Sequence, residues 1–152
     1  MRLIAGIALG LSLAASAAYA DVWSEWVVAA QKTQTKPLAI VFVDRFSITR
    51  TPTEERTAKV LTVQRPATTW DVSISARLYD CKGGRVKVRA VNEYKGGELV
   101  REDKVESDWV KIVPKTLSAQ VADGVCGKTD FLSDVVDDPV GDAMDYFDKL
   151  SK

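Results

Sequence analysis

Histidine is absent from the 152-residue chain, and this narrows the chemistry available to it. Without an imidazole there is no histidine base for a serine or cysteine nucleophile, no His-ligated metal site and no switch of the usual kind near neutral pH. No Gly-x-Ser-x-Gly motif occurs either. The two cysteines, Cys81 and Cys126, are too few for a four-cysteine zinc site. They stand 45 positions apart rather than in a Cys-x-x-Cys motif, so a structural bridge is favoured over a redox pair. The acidic pairs Glu54-Glu55, Glu102-Asp103 and Asp137-Asp138 could suggest paired catalytic carboxylates. Adjacent strand residues point to opposite faces, which disposes of Glu102-Asp103, and the other two pairs fall in polar loops. Asp134, Asp137, Asp138 and Asp142 lack the glycine and terminal glutamate of a calcium loop. They read as the solvated face of a helix. Gly83-Gly84 and Gly96-Gly97 open no helical pattern and read as turns, not phosphate cradles. No cofactor and no metal are expected.

One cluster is less bland. Trp70, Val72, Ile74, Ala76 and Leu78 alternate with polar residues, as do Val86, Val88 and Ala90 with Arg85, Lys87 and Arg89. Period-two alternation means strands with one buried face. Pairing Leu78 with Val86 puts both apolar sets on one side and leaves a three-residue loop, Cys81-Lys82-Gly83. In that register Arg77 faces Lys87, Ser75 faces Arg89 and Tyr79 faces Arg85. Like charges directly opposite cost roughly 0.2–1 kcal/mol. The outer face, Arg77, Tyr79, Arg85, Lys87 and Arg89, is thus a candidate docking surface for an anionic partner or for the protein's own acidic tail. The plainer reading is a solvated face balanced by Glu102 or Asp103.

The elements that must carry this face also read as β. Val22 to Ala29 holds Trp23, Trp26 and Val27-Val28, a composition that allows helix but favours strand. Leu38 to Asp44 is a short apolar run after Lys36-Pro37, as expected for a buried strand. Extended character continues through Phe46 to Thr49, a loop follows at Thr51 to Glu55, and Thr57 to Gln64 is a strand ended by Arg65-Pro66. A second hairpin turns at Lys95-Gly96-Gly97-Glu98, with a return strand from Leu99 to about Asp108, and Trp109 to Val113 is a last short strand or extended segment, closed by Pro114 and followed by a loop to Cys126. After Cys126 the texture changes. Val140, Met144, Phe147 and Leu150 recur at spacings of four, three and three, which is one face of a helix, with Pro139 at its first position and Asp137 or Asp138 as cap. A helical turn across Thr129 to Val136 is also expected. The four tryptophans are expected mostly in packed positions.

Charge and the N-terminus speak to compartment. Lys and Arg number 21, as do Asp and Glu, so the cationic excess that general nucleic-acid binding requires is missing. Met1-Arg2, the apolar run Leu3 to Ala18 and the small-x-small sequence Ala18-Tyr19-Ala20 have the three-part layout of a secretory signal peptide. No cysteine lies near the expected cleavage point, so no lipid anchor is expected there. Export, periplasmic or secreted, would make a disulfide the default state of the cysteines. Residues 127–152 carry a net charge of −4 and residues 21–126 a net of +3.

Arg77-Leu78-Tyr79-Asp80-Cys81, the basic-apolar alternation through Arg89, Tyr94, the Gly96-Gly97 turn, Trp109-Val110-x-x-Val113-Pro114 and Val125-Cys126-Gly127-Lys128 together resemble the surface-adhesin protein E family of small bacterial envelope proteins. The resemblance runs over roughly residues 22–128. It implies a meander of about six antiparallel strands with a helix against it, and a disulfide joining Cys81 to Cys126. The expectation is an α+β, mainly antiparallel β fold with a C-terminal amphipathic helix. It comprises a signal peptide over 1–20, a β domain over 21–128 and an acidic helical segment over 129–152. The expected function is an exported, non-catalytic protein-binding module. The alternatives are a soluble periplasmic structural or accessory protein of the envelope and, less in keeping with the residues, an enzyme of unrecognised type.

Overall fold

The computed structural model describes residues 24–104 and 106–151. The expected signal segment and Trp23 lie outside them. Seven strands, β1 (Trp26–Lys32), β2 (Leu38–Arg50), β3 (Arg56–Arg65), β4 (Val72–Asp80), β5 (Arg85–Lys95), β6 (Glu98–Asp103) and β7 (Val110–Lys111), are joined by two helices, α1 (Leu117–Val125) and α2 (Pro139–Leu150). The first six strands lie in chain order in one antiparallel sheet, and β7 pairs with the proximal half of β5. This is the α+β meander the sequence leads one to expect.

The two faces of the sheet have separate covers. On one, α1 lays Val121, Ala122 and Val125 over Ala30, Val41, Val43, Ala58, Val60 and Tyr79. On the other, α2 lays Ala143 and Phe147 over Trp26, Phe42, Leu61, Val63 and Val72. Residues Leu38–Asp44 of β2 lie beneath both covers and are buried without interruption, which is why that stretch reads as an unbroken apolar run rather than an alternating one. Both covers fall short of β5, none of whose residues is fully buried.

The helices begin where their caps dictate. Thr116 Oγ1 accepts from Ala119 N at 3.2 Å at the start of α1, and Asp138 Oδ1 accepts from Gly141 N at 3.0 Å at the start of α2. In each case the side chain satisfies a backbone donor the helix leaves open. In α2, Phe147 is buried and Val140 and Met144 pack partly against the same cluster. Leu150, expected in that set, is exposed, because it sits in the last turn, beyond the sheet contacts.

Four further expectations need correction. The segment before Cys126 is not a loop but α1. Residues 129–136 form no helical turn. Instead Leu132 N donates to Val28 O at 2.8 Å and Val136 N to Trp26 O at 2.7 Å, while Val28 N donates to Ser133 Oγ at 3.0 Å. The segment is an extended strap over the edge of β1, and it shields backbone groups that would otherwise template edge-to-edge pairing. The return strand β6 ends at Asp103, short of the expected Asp108, because β7 takes over the edge of β5. The fourth correction, the β4–β5 register, shapes the candidate site.

Candidate partner-binding faces

Four residues, Cys81 to Gly84, turn the chain between Asp80 and Arg85, which pair with each other. Tyr79 therefore meets Val86, and Arg77 meets Val88. A bulge at Arg89 restores Ala76 opposite Ala90, because the extra residue in β5 absorbs the one-residue slip. The expected set of five is thereby split. Tyr79 is 0% exposed on the α1 face, packed with Val60 and Val125, so it belongs to no docking surface. Burial pushes the Tyr79 hydroxyl's pKa up, and the neighbouring Arg77 guanidinium partly offsets this. The hydroxyl is buried with no partner at full hydrogen-bond geometry.

Arg85 and Lys87 stay together on the opposite face, around an aromatic ring the sequence reasoning did not place. The Arg85 guanidinium lies 5.2 Å and the Lys87 ammonium 4.8 Å from the Trp109 ring centroid, within cation–π range. On β7, Lys111 sits directly opposite Arg85. On this face the like-charge cross-strand pair is thus Arg85–Lys111, not Arg77–Lys87, and Arg50–Arg56 is another, between β2 and β3. The period-two spacing of Trp109 and Lys111 beside an expected strand was the signal for both residues. Two acids answer the cations. Asp80 Oδ2 accepts from Arg85 Nη2 at 2.6 Å. Glu106 pairs with Lys87, and with Arg89 Nε at 3.1 Å. The balancing acids are therefore Asp80 and Glu106 rather than Glu102 or Asp103. The Gly83 N–H and then Arg85 hold the Asp80 carboxyl below its ordinary range, and Lys87 does the same for Glu106. An open groove of about 370 Å³ adjoins Arg89, floored by Ile74, Ala76 and Ala90 and edged by Lys59. The face therefore offers an aromatic ring, a cationic rim and a shallow apolar floor.

Arg77 borders this groove and also lines a second recess. Where α1 stops covering its face, Thr62, Trp70, Ser73, Ser75, Val88 and Glu93 border a polar cleft of about 360 Å³ with Arg77 among them. Ser75 is 3% exposed, and its Oγ accepts from Arg77 Nε at 2.9 Å.

The acidic pairs serve local structure. Glu54 neighbours Arg50 and Lys82, Glu55 accepts from Thr53 at 2.6 Å, and Asp138 caps α2. Among the described residues no group of three or more Cys, Asp or Glu is placed to hold a metal ion. Cys81 and Cys126 are bonded, with 5.7 Å between their Cα atoms. Cys126 is the C-cap of α1, so the bridge ties the β4–β5 turn to the end of that helix.

Residues 26–127 match the family model described as surface-adhesin protein E. No curated protein and no solved structure gives a significant match. The matched span runs from the first strand through α1 and the bridge, and stops before the strap and α2.

Proposed function

This chain belongs to the surface-adhesin protein E family, and on that premise we infer that it is an exported, non-catalytic protein-binding module that docks an acidic partner on its β5–β7 face. The observation that carries this reading is the Arg85–Lys111 pair beside Trp109. Two cations directly opposite each other work against the sheet, so folding alone does not account for them. A half-buried Trp with an exposed Arg is the composition that concentrates binding energy at protein interfaces, and the apolar groove beside Arg89 supplies area to bury. The partner's carboxylates would answer the cations that Asp80 and Glu106 leave over.

The test is salt-dependent binding to proteins of the cell envelope. Replacing Arg85, Lys87 and Arg89 together with Gln is expected to weaken binding and to flatten its dependence on salt, because exposed charge attraction is screened over ~8–10 Å at physiological ionic strength. Affinity that is the same at low and high salt in the unaltered protein would refute docking through this face.

A further inference from the structure

The polar cleft on the α1 face holds a feature that neither the fold nor the β5–β7 face accounts for. At the corresponding places on β2 and β3 this face carries Val41, Val43 and Val60. On β4 it changes to Ser73, Ser75 and Arg77, and both serines are buried. An uncovered sheet face explains hydroxyls, but it does not explain a half-buried guanidinium without a counter-ion. Among the described residues Arg77 has no carboxylate partner. Its Nε is committed to Ser75 Oγ at 2.9 Å, and the buried Tyr79 hydroxyl beside it is neutral. The nearby acids are engaged elsewhere: Arg101 pairs with Glu93 at 3.5 Å and with Asp103 at 3.2 Å. The chain's own acidic tail is also spent, with the strap along β1 and α2 on the opposite face.

We propose that this cleft is a second binding site, which captures a carboxylate of an acidic polypeptide segment on the Arg77 guanidinium, with Ser73 and Thr62 hydroxyls at the flanks and Trp70 as a wall. The guanidinium fork matches a carboxylate in shape and charge, and the cleft's volume falls in the range of small-ligand sites. Glu93 and Asp103 across the cleft disfavour a multiply charged anion such as phosphate. Only the choice of a polypeptide ligand rests on the protein-binding reading. The site itself opens on the other side of the sheet from Arg85, Lys87 and Trp109, while Ser75 and Arg77 also border the groove beside Arg89.

The experiment follows backbone and arginine side-chain resonances of the ¹⁵N-labelled protein during titration with acetyl-Gly-Glu-Gly-Glu-Gly amide, with its Gln counterpart, and with sodium acetate. Saturable shifts of Arg77, Ser73 and Val91 are expected with the Glu peptide, weaker ones with acetate and none with the Gln peptide. Arg77→Gln is expected to weaken binding about tenfold to a hundredfold, the loss of a charge-assisted pair. Val88→Glu covers the case in which Arg77→Gln fails to fold. Position 88 faces Arg77 across the β4–β5 pair, so this variant supplies an internal carboxylate that should abolish binding with Arg77 in place. Replacing Arg85 and Lys87 with Gln, neither of which lines the cleft, should leave the titration unchanged, so failure at either face is read separately. Equal shifts with the Glu and Gln peptides, or undiminished binding in Val88→Glu, would overturn the proposal.

Discussion

Tyr79 shows how a side chain on an expected outer face is buried by an unexpected cover: it keeps the Arg77 face of β4, and α1 lies over it. Its ring fills the α1 cluster, and its hydroxyl contributes little for want of a well-formed partner. Tyr79→Phe is therefore expected to change unfolding free energy by less than about 1 kcal/mol, while Tyr79→Ala should cost about 3–5 kcal/mol through the cavity it leaves. Chemical denaturation of the two variants separates ring from hydroxyl. The raised pKa adds a pH dependence. The unfolded chain loses this proton near pH 10 and the folded chain only above that, so the unfolded state binds fewer protons in the interval and stability falls as pH rises through it. The fall in denaturation midpoint between pH 9 and pH 10.5 should be smaller in Tyr79→Phe than in the unaltered protein. An equal fall would show that Tyr79 does not control it. In the sequence, alternation identified the strands around Tyr79 but could not show that the turn held four residues or that Arg89 would bulge. A slip of one residue exchanges faces for every side chain after it.

At the level of elements, the strongly periodic segments were legible and the short ones were not. α2 announced itself through Pro139, an aspartate cap and the Val140–Met144–Phe147 spacing. β2 did so through its apolar run. α1 was hidden among small residues, although Thr116 followed by Leu117, Val121 and Val125 at four-residue steps carries both cap and face. The strap was unreadable, since three hydrogen bonds to an edge strand leave no periodic trace. It is held at its start by Phe131, whose ring approaches α1 so closely that a Cβ added at Gly124 would meet Phe131 Cε1 at 2.6 Å. Gly124→Ala should therefore push Phe131 out and cost about 1–3 kcal/mol as an overpacked contact. Amide hydrogen exchange is the measurement, with faster exchange expected at Leu132 and Val136. Unchanged protection at those two amides would mean that the strap holds without Phe131.

At the scale of the whole molecule, the two helical covers protect β1 to β3 on both sides and leave β5, β7 and part of β4 more open to solvent. The Cys81–Cys126 bridge anchors that surface to α1. Closing a loop of 45 residues' separation removes roughly 4 kcal/mol of unfolded-chain entropy in the chain model, so reduction should lower Tm clearly in a calorimetric scan. An unchanged Tm would mean the bridge does not constrain the unfolded chain. The class of fold was legible because alternation and turns repeat along the whole chain. The proposed binding face was only half legible, because its ring and one member of its like-charge pair come from Trp109 and Lys111, on the segment that returns to the edge of β5 after β6. The most direct test of that face is a photoreactive residue placed at Lys111 in living cells, compared with one at Tyr146 on α2. A discrete cross-linked adduct is expected from position 111 alone, and it should be lost when Arg85, Lys87 and Arg89 become Gln. The same adduct from both positions, or none from position 111, would contradict the assignment of partner binding to the β5–β7 face.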